Sequence, residues 1–247
     1  MRIQKCLSAV VFLLLSVSVY ASGDYVTRPQ DKALFEAVGA NSLNQVKALL
    51  AKGADINAPE KPWGLTPALI APDMSKEMVQ YLLKKGANVN AADREGTTVL
   101  MRAVYSRDPA IVSEVLKYHP NLEAKGTWNN TALTYAVVQG NPMMVDALVK
   151  AGADVDATRV DGMTPLDMAK RRLLQAQIAV QETGAIPEHG GAPMTMDMPM
   201  HHGKMEHNVP KHVIIHDSQA VLDIIKAAGG VAGLGFAIND PSIQHKH

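Results

Sequence analysis

The chain has 247 residues, of which 47% are hydrophobic but only 4% aromatic, enough material for one extended domain or two small ones. Twenty-four Lys+Arg balance 24 Asp+Glu, so no charge excess points to nucleic acid or to an anionic membrane surface. A core rich in Ala, Leu and Val and poor in rings suits helices packed closely on one another.

The first segment reads as an export signal. Arg2 and Lys5 form a charged start, residues 7–19 an apolar run, and Val19-Tyr20-Ala21 supplies small residues at the cleavage positions. A run of that length falls short of the roughly twenty residues that span a bilayer. Residues 1–21 are therefore expected to be removed, leaving a short linker over 22–30. The only cysteine, Cys6, lies inside this signal. An exported protein without cysteine has no disulfides and must rely on packing. The short signal fits a bacterial periplasm best, with secretion from another cell type as the alternative.

From residue 31 onward a period of 33 governs the chain. The segments "LLAKGADINA", "LLKKGANVNA", "VLKYHPNLEA" and "LVKAGADVDA" align, with Gly53, Gly86, His119 and Gly152 in one position. Threonines recur at Thr66, Thr98, Thr131 and Thr164, two of them followed by proline, as Thr66-Pro67 and Thr164-Pro165. A threonine hydroxyl caps a helix N-terminus, and proline at the first helical position loses no needed N–H. Apolar residues then recur at helical spacing, as in Val79, Leu82 and Leu83 or Val145, Leu148 and Val149. Glycine just past the second helix suits a left-handed cap. His119-Pro120 departs from that rule, so the second helix there is expected to end in a different turn, stopped by the proline.

These elements resemble the ankyrin-repeat family, with its T-P-L-H-x-A opening and G-A-D-V-N-A close, over roughly residues 31–184. The resemblance implies an all-α solenoid of helix–turn–helix repeats, about five including caps, with short hairpins between them. The usual histidine of the first helix is missing, since Leu69, Met101, Thr134 and Asp167 stand in its place. Other contacts must then fix each hairpin to its helix. Residues 31–57 read as an N-terminal capping repeat without its own Thr-Pro hairpin.

The last repeat opens normally with "DGMTPLDMAK", and its apolar face (Leu166, Ala169, Leu173, Ala176, Val180) continues to about Glu182, some two turns beyond its neighbours. Its second helix is displaced. A stretch rich in Gly, Pro, Met and His over about 185–217 intervenes before "DSQAVLDIIKAAGG", where Val221, Ile224 and Ile225 repeat the pattern of Val79, Leu82 and Leu83. Closing a loop of that size costs roughly 3 kcal/mol. Burying four or five aliphatic side chains at roughly 1.5–3 kcal/mol each exceeds it. The repeat domain is thus expected to span 31–230, with residues 218–230 as the C-terminal cap and 231–247 as a tail.

Two places carry candidate binding chemistry. The concave face implied by the resemblance presents hairpin tips and first helices to a protein partner. Trp63 and Trp128 occupy equivalent tips, beside Gly64 and Asn129, with Arg94-Glu95 and Val160-Asp161 at the other two. Tryptophan is enriched among binding hot spots. Tyr105, Tyr135, Arg171 and Arg172 extend that face along the first helices. The insertion holds alternating Met194, Met196, Met198 and Met200, then His201, His202, Met205 and His207. Thioethers suit Cu(I) and imidazoles Cu(II), so this set reads as a copper site, the second functional reading. His202 and Glu206-His207 have the wrong spacing for a zinc-protease motif, and Gly203 interrupts the helix that motif needs. No nucleophile has a base partner in sight, so the expected function is binding rather than catalysis.

Overall fold

The structure is a computed structural model that describes residues 28–183 and 211–233. Among the described residues there are ten α-helices and no β-strand, arranged as five antiparallel pairs. The pairs are α1 (Pro29–Gly39) with α2 (Leu43–Ala51), α3 (Pro67–Ile70) with α4 (Lys76–Lys84), and α5 (Val99–Tyr105) with α6 (Pro109–Leu116). α7 (Ala132–Gln139) pairs with α8 (Pro142–Lys150), and α9 (Pro165–Thr183) with α10 (Lys211–Ala227). The all-α repeat stack implied by the sequence is what forms.

Local signals start and stop these helices. The side chains of Ser75, Thr98, Asp108, Thr131 and Asn141 accept N–H bonds in the first turns of α4, α5, α6, α7 and α8. Four second helices end in a left-handed glycine: Gly53, Gly86, Gly152 and Gly229 have φ of 85°, 92°, 96° and 88°. At the fifth, His119 takes the same conformation with φ 50°, and its N–H reaches Leu116 O at 3.1 Å as that of Gly86 reaches Leu83 O. The left-handed conformation is therefore kept, but the turn differs as expected: α6 ends at Leu116, three residues before His119, where the other second helices end two residues before their glycine. The next residue changes as well. Ala54, Ala87 and Ala153 each donate to the carbonyl five residues back, a bond that Pro120 has no N–H to make.

One hydrogen bond recurs between successive repeats. Asn57 Oδ1 accepts the Asn88 N–H at 2.8 Å, Asn90 Oδ1 that of Asn121 at 2.7 Å, and Glu123 Oε1 that of Asp154 at 2.9 Å. Asp156 Oδ1 continues the series, but its donor is Val231 N–H at 2.7 Å. Gly229 stands 77 positions beyond Gly152, where the grid would place it 33 beyond. The displaced helix nevertheless rejoins the register of the stack. It packs on α8 and α9, burying Ser218, Val221, Leu222 and Ile225. It begins at Lys211 rather than at the expected 218.

A continuous apolar core runs the length of the stack. Leu34, Leu69, Leu82, Leu100, Leu133, Leu148 and Ile225 each have no exposed surface. Each buried leucine or isoleucine contributes roughly 1.5–3 kcal/mol. A repeat array needs such contacts on both sides of every pair, and the last pair supplies them at the C-terminal end.

Candidate partner-binding face

Three of the four hairpins are anchored by a side chain of the helix that follows, each with a different residue in place of the missing histidine. Asp167 makes the fullest substitution. Its Oδ2 accepts Thr164 N–H and Oγ1–H, both at 3.0 Å, and the Gly233 N–H at 2.7 Å. Thr134 Oγ1 donates to Thr131 O at 2.8 Å, while Thr131 Oγ1 accepts the Thr134 N–H. Met101 offers only its sulfur to the Thr98 N–H, at 3.5 Å. Leu69 offers nothing polar, and the buried Thr66 Oγ1 has no partner. Polar anchors thus hold three of four hairpin tips, which stand in a row before α3, α5, α7 and α9.

At the corresponding tip positions, three residues before Thr66, Thr98, Thr131 and Thr164, stand Trp63, Glu95, Trp128 and Asp161. All four are exposed. The two indoles are 54% and 58% accessible, so neither folds back over its hairpin as packing. Backbone bonds tie the tips together: Arg94 N–H donates to Trp63 O at 3.1 Å, and Val160 N–H to Trp128 O at 3.2 Å. Each tryptophan thus sits beside the tip of the next repeat, Trp63 with Arg94 and Trp128 with Val160-Asp161. Val160 is itself 57% exposed and extends the apolar patch at Trp128.

The Trp128 hairpin has an unusual backbone. Trp128 has φ 61° and ψ 24°, and Asn129 follows with φ 58°. The other three tips place glycine at the equivalent of Asn129, with φ of 74°, 79° and 75° at Gly64, Gly96 and Gly162. Asparagine tolerates that region, but a bulky residue there is an outlier that costs about 1–2 kcal/mol. The loop is closed by Gly126 N–H to Asn130 O at 2.9 Å and by Asn130 Nδ2–H to Thr127 O at 2.9 Å. No sequence signal marks this second left-handed residue, because tryptophan is not a turn former.

The remaining residues divide. Tyr135 is only 5% exposed, so it belongs to the core and is withdrawn from the face. Its ring lies 4.7 Å from that of Tyr105, tilted by 53°. Tyr105 is half-buried, and burial, followed by a side-chain hydrogen bond with Tyr135, pushes its phenol well above the ordinary value. Arg171 is exposed, with Nη1 3.9 Å from Met163 Sδ. Arg172 is structural. Its Nη1–H donates to Val138 O at 2.5 Å, and its guanidinium fills the space that a Cβ on Gly140 would occupy. Burial, then the charge of Arg107, lowers its pKa.

Met194, Met196, Met198, Met200, His201, His202, Met205 and His207 lie outside the described residues. Among the described residues no group of three His, Cys, Asp or Glu is placed to hold a metal, and no helix is long and apolar enough to cross a membrane. What the described face offers is rigid apolar and charged side chains, which suit recognition.

Comparison with known proteins agrees with this geometry. No curated protein matches the chain. A family model described as ankyrin repeats (3 copies) matches residues 34–126 and 100–179, more than half of the 247 residues. Ankyrin repeats are generally protein-interaction modules, typically without catalysis, and this chain belongs to the ankyrin-repeat family.

Proposed function

We propose that this protein is an exported, non-catalytic binding module of the bacterial envelope that grips a protein partner with its hairpin tips. One observation carries the reading. Two tryptophans, more than half exposed, stand at alternate tips of a rigid stack, one of them on a backbone that costs stability. Neither contributes to the core, so their value lies in contact with something else. A stack that is already ordered loses little entropy on binding, and a few aromatic anchors then suffice. Arg94, Glu95, Tyr105, Asp161 and Arg171 supply the charged and polar surroundings of those anchors.

Capture experiments from envelope extracts test this. Wild-type protein should retain a defined partner that Trp63→Ala plus Trp128→Ala releases, with each truncation costing 2 kcal/mol or more of affinity. Equal retention by the double variant would show that the tips are not the binding surface. The second reading, copper capture by the Met/His-rich insertion, rests on the alternation of its methionines and the histidines after them. Copper titration of wild type against a variant lacking residues 190–210 separates it from the first. Equal affinity in the two would remove the metal reading and leave the tip reading intact.

A further inference from the structure

The second-helix side of the stack is open near its N-terminal end. From α4 to α10 the second helices of successive repeats pack on one another, whereas α2 and α4 approach less closely. Between them lies an open groove of about 600 Å³ lined by Lys47, Leu50, Ala51, Ala54, Ile56, Tyr81 and Lys85. Its floor is aliphatic and its rim is cationic. Lys47 Nζ and Lys85 Nζ lie 5.6 and 5.9 Å from the centroid of the Tyr81 ring, which puts the two ammonium groups within about 12 Å of each other. Their fields therefore overlap at a physiological Debye length of about 8 Å.

The charge pattern here is unlike that farther along. At the ends of α6 and α8 the lysines are paired, Lys117 with Glu114 at 2.6 Å and Lys150 with Asp146 at 2.7 Å. α2 contains no acidic residue, and among the described residues no carboxylate pairs with Lys47 or Lys85. Lys52 and Lys84, next in sequence to the lining residues Ala51 and Lys85, are exposed as well. The acids nearest in sequence are Asp55, whose Oδ1 accepts the Asn57 N–H, Glu77 in the first turn of α4, and Asp93, which pairs with Arg102 at 3.4 Å. The result is an apolar recess with unneutralised cations at its edge.

We propose that this groove binds an acidic segment of a partner protein, with an apolar side chain seated between flanking carboxylates. The apolar group fills the recess over Leu50, Ala54 and Ile56. The carboxylates bridge Lys47 and Lys85, relieving the repulsion between two cations that share one ring. A recess between helices favours a protruding side chain over a flat lipid surface. This site lies apart from the hairpin tips and stands whether or not the tips bind.

Fluorescence anisotropy of the full exported chain with a labelled peptide, Asp-Glu-Leu-Asp-Glu, is the test. Binding should weaken at least tenfold in the Lys47→Glu, Lys85→Glu variant and weaken as salt is raised. It should be unchanged in the Trp63→Ala, Trp128→Ala variant. Both lysines are exposed, so circular dichroism and urea midpoint of the charge-reversed protein should match wild type. Equal binding of a Lys-Arg-Leu-Lys-Arg peptide, or an unaffected double-lysine variant, overturns the proposal. So does retention on anionic phospholipid vesicles without peptide binding, or self-association that disappears in the double-lysine variant.

Discussion

The junctions between repeats and the tips of the hairpins are built on opposite terms. At the junctions, polar groups find partners in the neighbouring repeat: the series Asn57, Asn90, Glu123 and Asp156 accepts one backbone N–H after another. At the tips, Trp63 and Trp128 expose apolar surface, and Trp128 occupies a left-handed backbone. One region lowers the free energy of the folded chain, and the other raises it. Substitutions should therefore separate the two, with junction changes costing stability and tip changes costing binding.

The largest effect should fall on Asp167, where hairpin, helix and the segment after α10 meet. Its removal leaves the Thr164 and Gly233 N–H groups without their acceptor, while Thr164 Oγ1–H keeps Val231 O at 2.7 Å. Bonds to a charged group contribute about 1.5–3 kcal/mol each, and orphaned buried donors add to the loss. Asp167→Ala should lower the free energy of unfolding in urea by about 3 kcal/mol. A loss under 1 kcal/mol would mean that the carboxylate is dispensable at this junction.

Next comes a change that should cut the other way. Trp128→Gly places the residue best suited to φ 61° where the bulky one stands, against the greater unfolded-state entropy of glycine. Urea unfolding should show a gain of about 1 kcal/mol, while partner capture falls with it. A variant that lost both stability and binding would mean that the indole braces its hairpin. The contrast between junction and tip would then fail.

Much of this was legible in advance because the repeat grid is a one-dimensional signal. Spacing alone locates Gly53, Gly86 and Gly152 and the threonines that open the helices, and the apolar pattern of Val221, Ile224 and Ile225 locates the displaced helix. The reading of α10 began too late because residues 211–217 keep helical character without a cap or period to announce it. Tyr135 was misplaced for a related reason: a first-helix position three residues before half-buried Val138 is buried once its ring meets Tyr105. Helical period gives a direction, while the neighbouring repeat decides what covers it. The left-handed state of Trp128 could not be read at all, because it follows from how Gly126, Thr127 and Asn130 close the loop.

A smaller effect tests the junction series where it is exposed to water. Asn90→Ala deprives the Asn121 N–H of its acceptor, but solvent can replace that bond. The loss should be about 0.5 kcal/mol, near the lower end for a hydrogen bond. Urea unfolding of Asn90→Ala and Asn90→Asp distinguishes a lost acceptor from a lost side chain. If both lose equally, the bond to Asn121 is not the source.

His119 closes the comparison because it is a junction residue that behaves like a tip. It adopts φ 50° where three aligned repeats use glycine, and Pro120 removes a bond that Ala54, Ala87 and Ala153 make. Two local penalties fall at the same turn, and α6 ends at Leu116, one residue short of its neighbours on the repeat grid, yet the left-handed turn still forms. The packing of Ile111, Val112 and Val115, each at most 4% exposed, outweighs both. His119→Gly should therefore gain about 0.5 kcal/mol, the left-handed penalty relieved less the entropy of glycine. Gly86→His should lose a comparable amount at the equivalent turn. Opposite signs in paired urea titrations would tie the cost to the backbone conformation. A loss in both would assign the imidazole a contact of its own, and the histidine would then belong with the residues that hold the stack together.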